Sequence, residues 1–264
     1  MLNLINATKL FNPGTPDEKI ALINANLNIK PGDFITVIGS NGAGKSTLMN
    51  LISGVLKPDI GQVVVEGTEI QSMPEHKRSR WIGRVFQDPM AGTAPTMTIE
   101  ENLTMAYKRG KPRGLAWGAT AAKRKLFREQ LSRIGIGLED RMSAKVGLLS
   151  GGERQALSLL MATFTRPQIL LLDEHTAALD PARAELITRL TQEIVREMNL
   201  TTLMVTHNME QAIRLGNRLI MMDQGRIILD IPEERKSSLT VSQLLGEFER
   251  ISGHQLSDDR IVLG

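Results

Sequence analysis

The 264-residue sequence contains no cysteine, which excludes disulfides and thiolate metal sites. A reducing compartment agrees with that absence. Aromatic residues are scarce at 3%, with one Tyr and two Trp, so few rings are on offer to stack on a ligand. No uninterrupted apolar run approaches the roughly 20 residues that cross a bilayer. The opening Met1-Leu2-Asn3-Leu4-Ile5-Asn6 lacks the basic start and long apolar core of a signal peptide. A soluble chain is expected, whose membrane role, if any, comes through a partner.

Neither sign of charge dominates: 32 Lys plus Arg face 29 Asp plus Glu, a net +3. That balance is too mild to imply nucleic-acid binding, and no nucleic-acid partner is expected. Ordinary proportions of hydrophobic (41%) and charged (23%) residues argue against disorder. The length suits one core domain with a smaller lobe. One basic stretch, Lys108, Arg109, Lys111 and Arg113 followed by Lys123, Arg124, Lys125 and Arg128, reads as a solvated loop and helix face. Contact with anionic headgroups or a partner is its sharper alternative.

Leu22–Ile29 alternates apolar and polar residues, the period of a half-buried strand. After the turn at Pro31-Gly32-Asp33, the run Phe34–Ile38 predicts a buried strand, a glycine loop follows, and helical periodicity starts at Ser46. Gln62–Val65 predicts a further strand. Between about 88 and 166 the patterns are helical, as at Ile99–Tyr107 and Ala121–Ile134, which predicts a helical lobe. Strand signals return at Ile169–Leu172 and Thr202–Val205, on either side of an amphipathic helix over Ala182–Met198. That alternation implies parallel strands covered by helices. Leu219–Met222, the turn Asp223-Gln224-Gly225-Arg226 and Ile227–Leu229 predict a hairpin. A short helix is expected over Val241–Ile251, and it could pack on the core or meet a second copy.

The chemistry begins at Gly39-Ser40-Asn41-Gly42-Ala43-Gly44-Lys45-Ser46, which fills every fixed position of a phosphate-binding loop between a strand and a helix. Its glycines let backbone N–H groups face phosphates, and the helix start adds partial positive charge. Lys45 suits the β- and γ-phosphates, and the Ser46 hydroxyl suits Mg²⁺. Strand Ile169–Leu172 ends in Asp173-Glu174, where open α/β sheets bind ligands. Asp173 is the expected Mg²⁺ ligand and Glu174 the expected general base for water. His207 follows a strand at the same edge, within reach of a γ-phosphate. Gln87 sits where core gives way to helical lobe, and its amide could touch metal or water. Leu149-Ser150-Gly151-Gly152-Glu153-Arg154-Gln155 forms a second anion-binding helix start. If it lies far across the lobe from the first, the economical arrangement is a head-to-tail pair of copies, each capping the other's γ-phosphate.

Through about Asp230 the sequence resembles the ATP-binding-cassette ATPases. The landmarks occur in that family's order: the phosphate loop Gly39–Thr47, Gln87, the signature Leu149–Gln155, the acidic strand Ile169–Glu174, the D-loop Ala178-Leu179-Asp180, and His207. The resemblance implies an α/β P-loop fold with a RecA-like core, an antiparallel β subdomain and a helical subdomain. It implies a nucleotide-binding domain over 1–230, a helical lobe at about 88–166 and a short extension at 231–264. The implied activity is ATP hydrolysis coupled to transport, with ATP and Mg²⁺ as cofactors. Glu174, His207, Lys45 and Gln87 are the implied catalytic residues, and Ser46, Gln87 and Asp173 the metal-facing ones. Nucleotide contacts fall to Phe11 as adenine-stacking ring, to Gly39 through Thr47 (with Ala43 and Thr47 included), and to Ser150, Gly151, Gly152, Glu153 and Asp180. His175 departs from the family, which usually has proline after the glutamate. Phe11-Asn12-Pro13-Gly14-Thr15 and Leu172–Pro181 are similar to importer ATPases of tryptophan/tyrosine or uncharacterised amino-acid-type systems. Expected partners are a second copy, integral membrane permease subunits and an extracytoplasmic substrate-binding protein, at the cytoplasmic membrane face. An unfused exporter motor or a non-transport ATPase of the same family is the alternative.

Overall fold

The computed structural model describes residues 1–110 and 119–253. Lys111 and Arg113 of the basic stretch, and residues 254–264 of the expected extension, lie outside the described residues. The chain divides into two compact units, Met1–Arg78 with Thr201–Gly264, and Ser79–Leu200.

The first unit opens with β1 (Leu2–Phe11), β2 (Lys19–Ile29), β3 (Phe34–Gly39), α1 (Lys45–Ser53), β4 (Ile60–Val65), β5 (Thr68–Glu69) and α2 (Glu75–Arg78). The second unit contains β6 (Ile82–Val85), α3 (Ile99–Tyr107), α4 (Ala121–Ser132), α5 (Gly151–Thr163), β7 (Ile169–Asp173) and α6 (Pro181–Met198). The chain re-enters the first unit with β8 (Thr201–Val205), α7 (Met209–Arg214), β9 (Arg218–Asp223), β10 (Arg226–Ile231), α8 (Glu233–Lys236) and α9 (Val241–Ser252). Among the described residues, no helix is long and apolar enough to cross a membrane.

In the first unit, β2, β1, β4 and β5 form an antiparallel sheet in that order. β1 has no counterpart among the sequence expectations. Its pairing with β2 slips register between Leu4 and Ala7 and twice more before Leu10, and each slip breaks the period-2 pattern that marks a strand. Asn6 and Asn24 take positive φ (50° and 49°) at these irregularities, a conformation that asparagine tolerates better than most residues. The second sheet of this unit places β3 between β8 and β9, parallel to both, with β10 antiparallel outside β9. Every residue of β3 and β8 is buried, which is why both are rich in apolar and β-branched residues and show no alternation of apolar with charged ones. Gln224 and Gly225 form the β9–β10 tip with φ of 44° and 76°, the two-residue turn that matches hairpin twist. The C-terminal helix packs on its own unit: Leu244 and Phe248 are fully buried beside Met209, Ala212, Leu219 and Met221.

In the second unit, β6 and β7 pair in parallel, from Ile82 against Ile169 to Val85 against Leu172. Helix α5 is its spine, with every residue from Gln155 to Thr163 buried. Three of the chain's few rings gather here, as Tyr107, Phe127 and Phe164 meet edge-to-face with centroids 5.6–6.1 Å apart. Such pairs add about 0.5–1.5 kcal/mol each beyond their area.

Candidate nucleotide site

The phosphate loop leaves β3 at Gly39, whose φ is 152°. A Cβ there would lie 2.1 Å from the Met222 carbonyl oxygen, so only glycine fits. Gly44, the residue before α1, has φ of 100° and would place a Cβ 2.5 Å from the Ala21 carbonyl oxygen. The β9–β10 tip supports the loop from beneath: Gly225 donates its N–H to Ala43 (3.0 Å) and accepts from Ile23 (2.8 Å). Ser40 donates to the buried Asp223 carboxylate at 3.1 Å. Asn41, Gly42 and Ser46 are exposed along the loop, and Thr47 is half-buried.

Lys45 is buried, with Nζ donating to the carbonyls of Gly39 (2.6 Å) and Ser40 (3.0 Å). Helix α1 has no acidic residue in its first turn, so its N-terminal partial positive charge is not offset. Its other end is capped by Arg78, which is fully buried and donates to the carbonyls of Leu51 (2.6 Å), Ile52 (2.9 Å), Met73 (2.9 Å) and Gln71 (3.1 Å). Burial lowers the Arg78 guanidinium to about 10. Phe11 ends β1 half-buried, with Lys9 Nζ 5.9 Å from its ring centroid. Its register partner Lys19 brings an ammonium to within 3.8 Å of where a Gly42 Cβ would sit. Sequence reasoning missed this second cation because Lys19 lies 23 positions before Gly42 on another strand.

His207 is half-buried just past β8. Its neighbours fix the backbone on both sides. Thr206 donates its N–H to Val37 (3.2 Å) and its hydroxyl to Gln211 Oε1 (2.7 Å), while Asn208 caps α7 by accepting from Gln211 N–H at 2.7 Å.

The second unit carries the other sequence-predicted residues. Ile169–Leu172 are fully buried and deliver Asp173 at the end of β7. Arg84 on β6 donates to Asp173 Oδ2 at 2.8 Å. That partner was invisible in sequence, since 89 positions separate the two. Glu174 has a left-handed backbone, φ 45°, and accepts from Ala177 N–H at 3.0 Å. His175 is 3% exposed, with Nε2 3.1 Å from Thr191 Oγ1. The Thr191 hydroxyl donates to Ile187 O at 2.8 Å; having one proton, it accepts from His175. The ring therefore carries its proton on Nε2, and burial pushes its pKa down to about 4. His175 is a neutral core residue.

Asp180 caps α6, accepting from Arg183 N–H at 3.1 Å ahead of Pro181. Ser150 starts α5 in a capping box with Glu153: the hydroxyl accepts from Glu153 N–H (3.3 Å) and the carboxylate from Ser150 N–H (2.7 Å). Burial raises the Glu153 carboxyl, but Ser150 and Arg141 (2.6 Å) outweigh it and hold the group below its ordinary range. Gly151 is half-buried, and Gly152 is buried against Arg183. Gln87 is exposed. The preceding carbonyl, of Phe86, accepts from the buried Gln155 amide at 3.2 Å, so the signature helix and the Gln87 segment are tied together.

A glycine cradle opening a helix, a lysine held inside it and a strand ending in two acids define a P-loop ATPase. Comparison with known proteins narrows the class. Residues 22–177 match the ABC transporter family. The chain is 44% identical over 249 residues to a tyrosine transport ATP-binding protein of Clostridioides difficile (strain R20291), covering 94% of this chain and 99% of that one. It is 31% identical over 269 residues to the spermidine/putrescine import ATP-binding protein PotA of Mesoplasma florum, covering 100% of this chain and 72% of that one. An ATP-binding cassette solved as a dimer in a post-hydrolysis state with ADP and Pi matches with a TM-score of 0.76 at 31% identity, over 88% of this chain and 99% of that one. The chain belongs to the ABC transporter family, as an ATP-binding subunit that hydrolyses ATP.

Proposed function

We propose that this chain is the motor of a bacterial importer for an amino acid, working as a head-to-tail pair of copies docked on a membrane permease at its cytoplasmic face. The 44% identity to a tyrosine transport ATP-binding protein along almost its whole length carries the cargo class. The dimeric cassette with ADP and Pi supports the pair. An extracytoplasmic binding protein that delivers the cargo completes the proposal.

Lys45 and the N–H groups of Gly39–Thr47 hold the phosphates, and Phe11 stacks on the base. Glu174 takes a proton from the attacking water, and His207 and Gln87 steady the reacting group. Ser150 and Gly152, with Gly151, Glu153 and Asp180 beside them, face the nucleotide of the second copy. Magnesium fits the donors present: the Ser46 hydroxyl and the Asp173 carboxylate are hard oxygens, with Gln87 as a third. Among the described residues, no cluster of three or more His, Cys, Asp or Glu could hold a metal ion. A magnesium ion in this proposal would be held mostly by nucleotide phosphates and water. When bound, the metal neutralises developing phosphate charge. The expected domain division, a nucleotide-binding domain over 1–230 with its lobe and a short extension at 231–264, is part of this proposal.

The test is affinity purification of the tagged Glu174→Gln chain with ATP from native membranes. A polytopic permease should come with it, and its binding protein should then bind an amino acid on titration. Recovery of soluble or nucleic-acid partners without any membrane protein would overturn the reading.

A further inference from the structure

We propose that Lys236, Leu244 and Phe248 are positioning residues for His207, acting through the short helix α7. The proposal rests on the reading of His207 as a group that steadies the reacting phosphate.

Helix α7 starts two residues after His207 and spans only Met209–Arg214. A helix that short is not stable alone, so its anchors decide where its first turn sits and hence where His207 is held. Three sets of contacts fix it. From β3, the Thr36 hydroxyl donates to Ala212 O at 2.8 Å. From α9, Leu244 and Phe248 share a core with Met209 and Ala212. From α8, Lys236 Nζ donates to the carbonyls of Leu215 and, at 3.0 Å, Gly216.

The lysine is the informative contact. Lys236 is 2% exposed, and burying an ammonium is costly unless hydrogen bonds compensate it. Here it donates to the carbonyls of Leu215 and Gly216, the two residues that follow α7, and so pins the chain where it leaves the helix. An extension that only covered the sheet would need apolar residues and no buried cation. The same core contains Ile38, the residue before Gly39. The C-terminal segment thus packs at once against the strand entering the phosphate loop and the helix leaving His207.

Turnover and nucleotide affinity are measured on the full chain carrying Lys236→Met, Phe248→Ala or Lys236→Arg, each with and without His207→Ala. Lys236→Met and Phe248→Ala should lower kcat by about 10- to 100-fold, the effect of slight misplacement in an active site, with nucleotide affinity unchanged. Lys236→Arg, which retains a cation, should restore most of the rate. With His207→Ala already present, neither substitution should cost anything more, because coupled residues are not additive. Wild-type kcat in a folded Lys236→Met chain, or losses that multiply with that of His207→Ala, would overturn the proposal. If Phe248→Ala fails to fold, Lys236→Met decides alone. Wild-type turnover by His207→Ala itself would identify the reading of His207 as the failure, and the proposal would fall with it.

Discussion

Val37 on β3 and Val205 on β8 are register partners in a parallel pair; β3 ends two residues beyond Val37 at Gly39, and His207 lies two residues beyond Val205, just past the end of β8. One strand pair therefore starts the phosphate loop and presents the histidine at the same edge of the first unit. The edge is the C-terminal one, where open α/β sheets bind their ligands.

Gly39→Ala tests how tightly that edge is built. The new methyl would sit 2.1 Å from the Met222 carbonyl oxygen, a backbone atom that cannot step aside. Loss of nucleotide binding is expected, together with destabilisation of about 2 kcal/mol or more, read by denaturant melts and nucleotide titration. A fully stable variant with normal binding would show that the loop adapts.

Lys45→Ala should weaken ATP binding by about 10- to 100-fold, since hydrogen bonds to charged groups contribute roughly 1.5–3 kcal/mol. Isothermal titration checks it. Unchanged affinity would remove Lys45 from the phosphate site.

Ser150 has a structural role and a proposed functional one, and two substitutions separate them. Ser150→Ala removes the cap of α5 and should cost about 1 kcal/mol. Ser150→Asp keeps a cap but sets a carboxylate where a second copy's γ-phosphate is proposed to approach. Near-normal stability with turnover abolished is the expected result for aspartate. Wild-type turnover would place Ser150 away from the phosphate.

His175 makes stability depend on pH. Its folded pKa is depressed to about 4 from an ordinary 6.5, so the unfolded chain binds the proton more readily. Its contribution is complete above pH 6.5, falls between 6.5 and 4, and is lost below. The amplitude is about 3 kcal/mol. Melting across that range should flatten in His175→Phe, and an unchanged slope would contradict the burial account.

Features confined to one stretch of chain were legible in the sequence. The phosphate loop, Asp173-Glu174 and the Asp223–Arg226 turn each announce themselves within a few residues, because one local geometry demands those residue types. Strand β1 was not legible, since its register slips erase the alternation. The Arg84–Asp173, Gln155–Phe86 and Lys236–Leu215 contacts were hidden for another reason. Each joins positions that only the folded topology brings together. His175 is an intermediate case: the sequence marks it as a departure, and only Thr191 shows it to be a neutral core residue.

The most direct test of an ATP-driven pair of copies is the mass of the Glu174→Gln chain in solution, measured by light scattering with and without Mg-ATP. A chain that binds ATP but cannot activate water should accumulate as an ATP-dependent dimer and return to monomer when nucleotide is removed. A monomer at every ATP concentration would contradict the account.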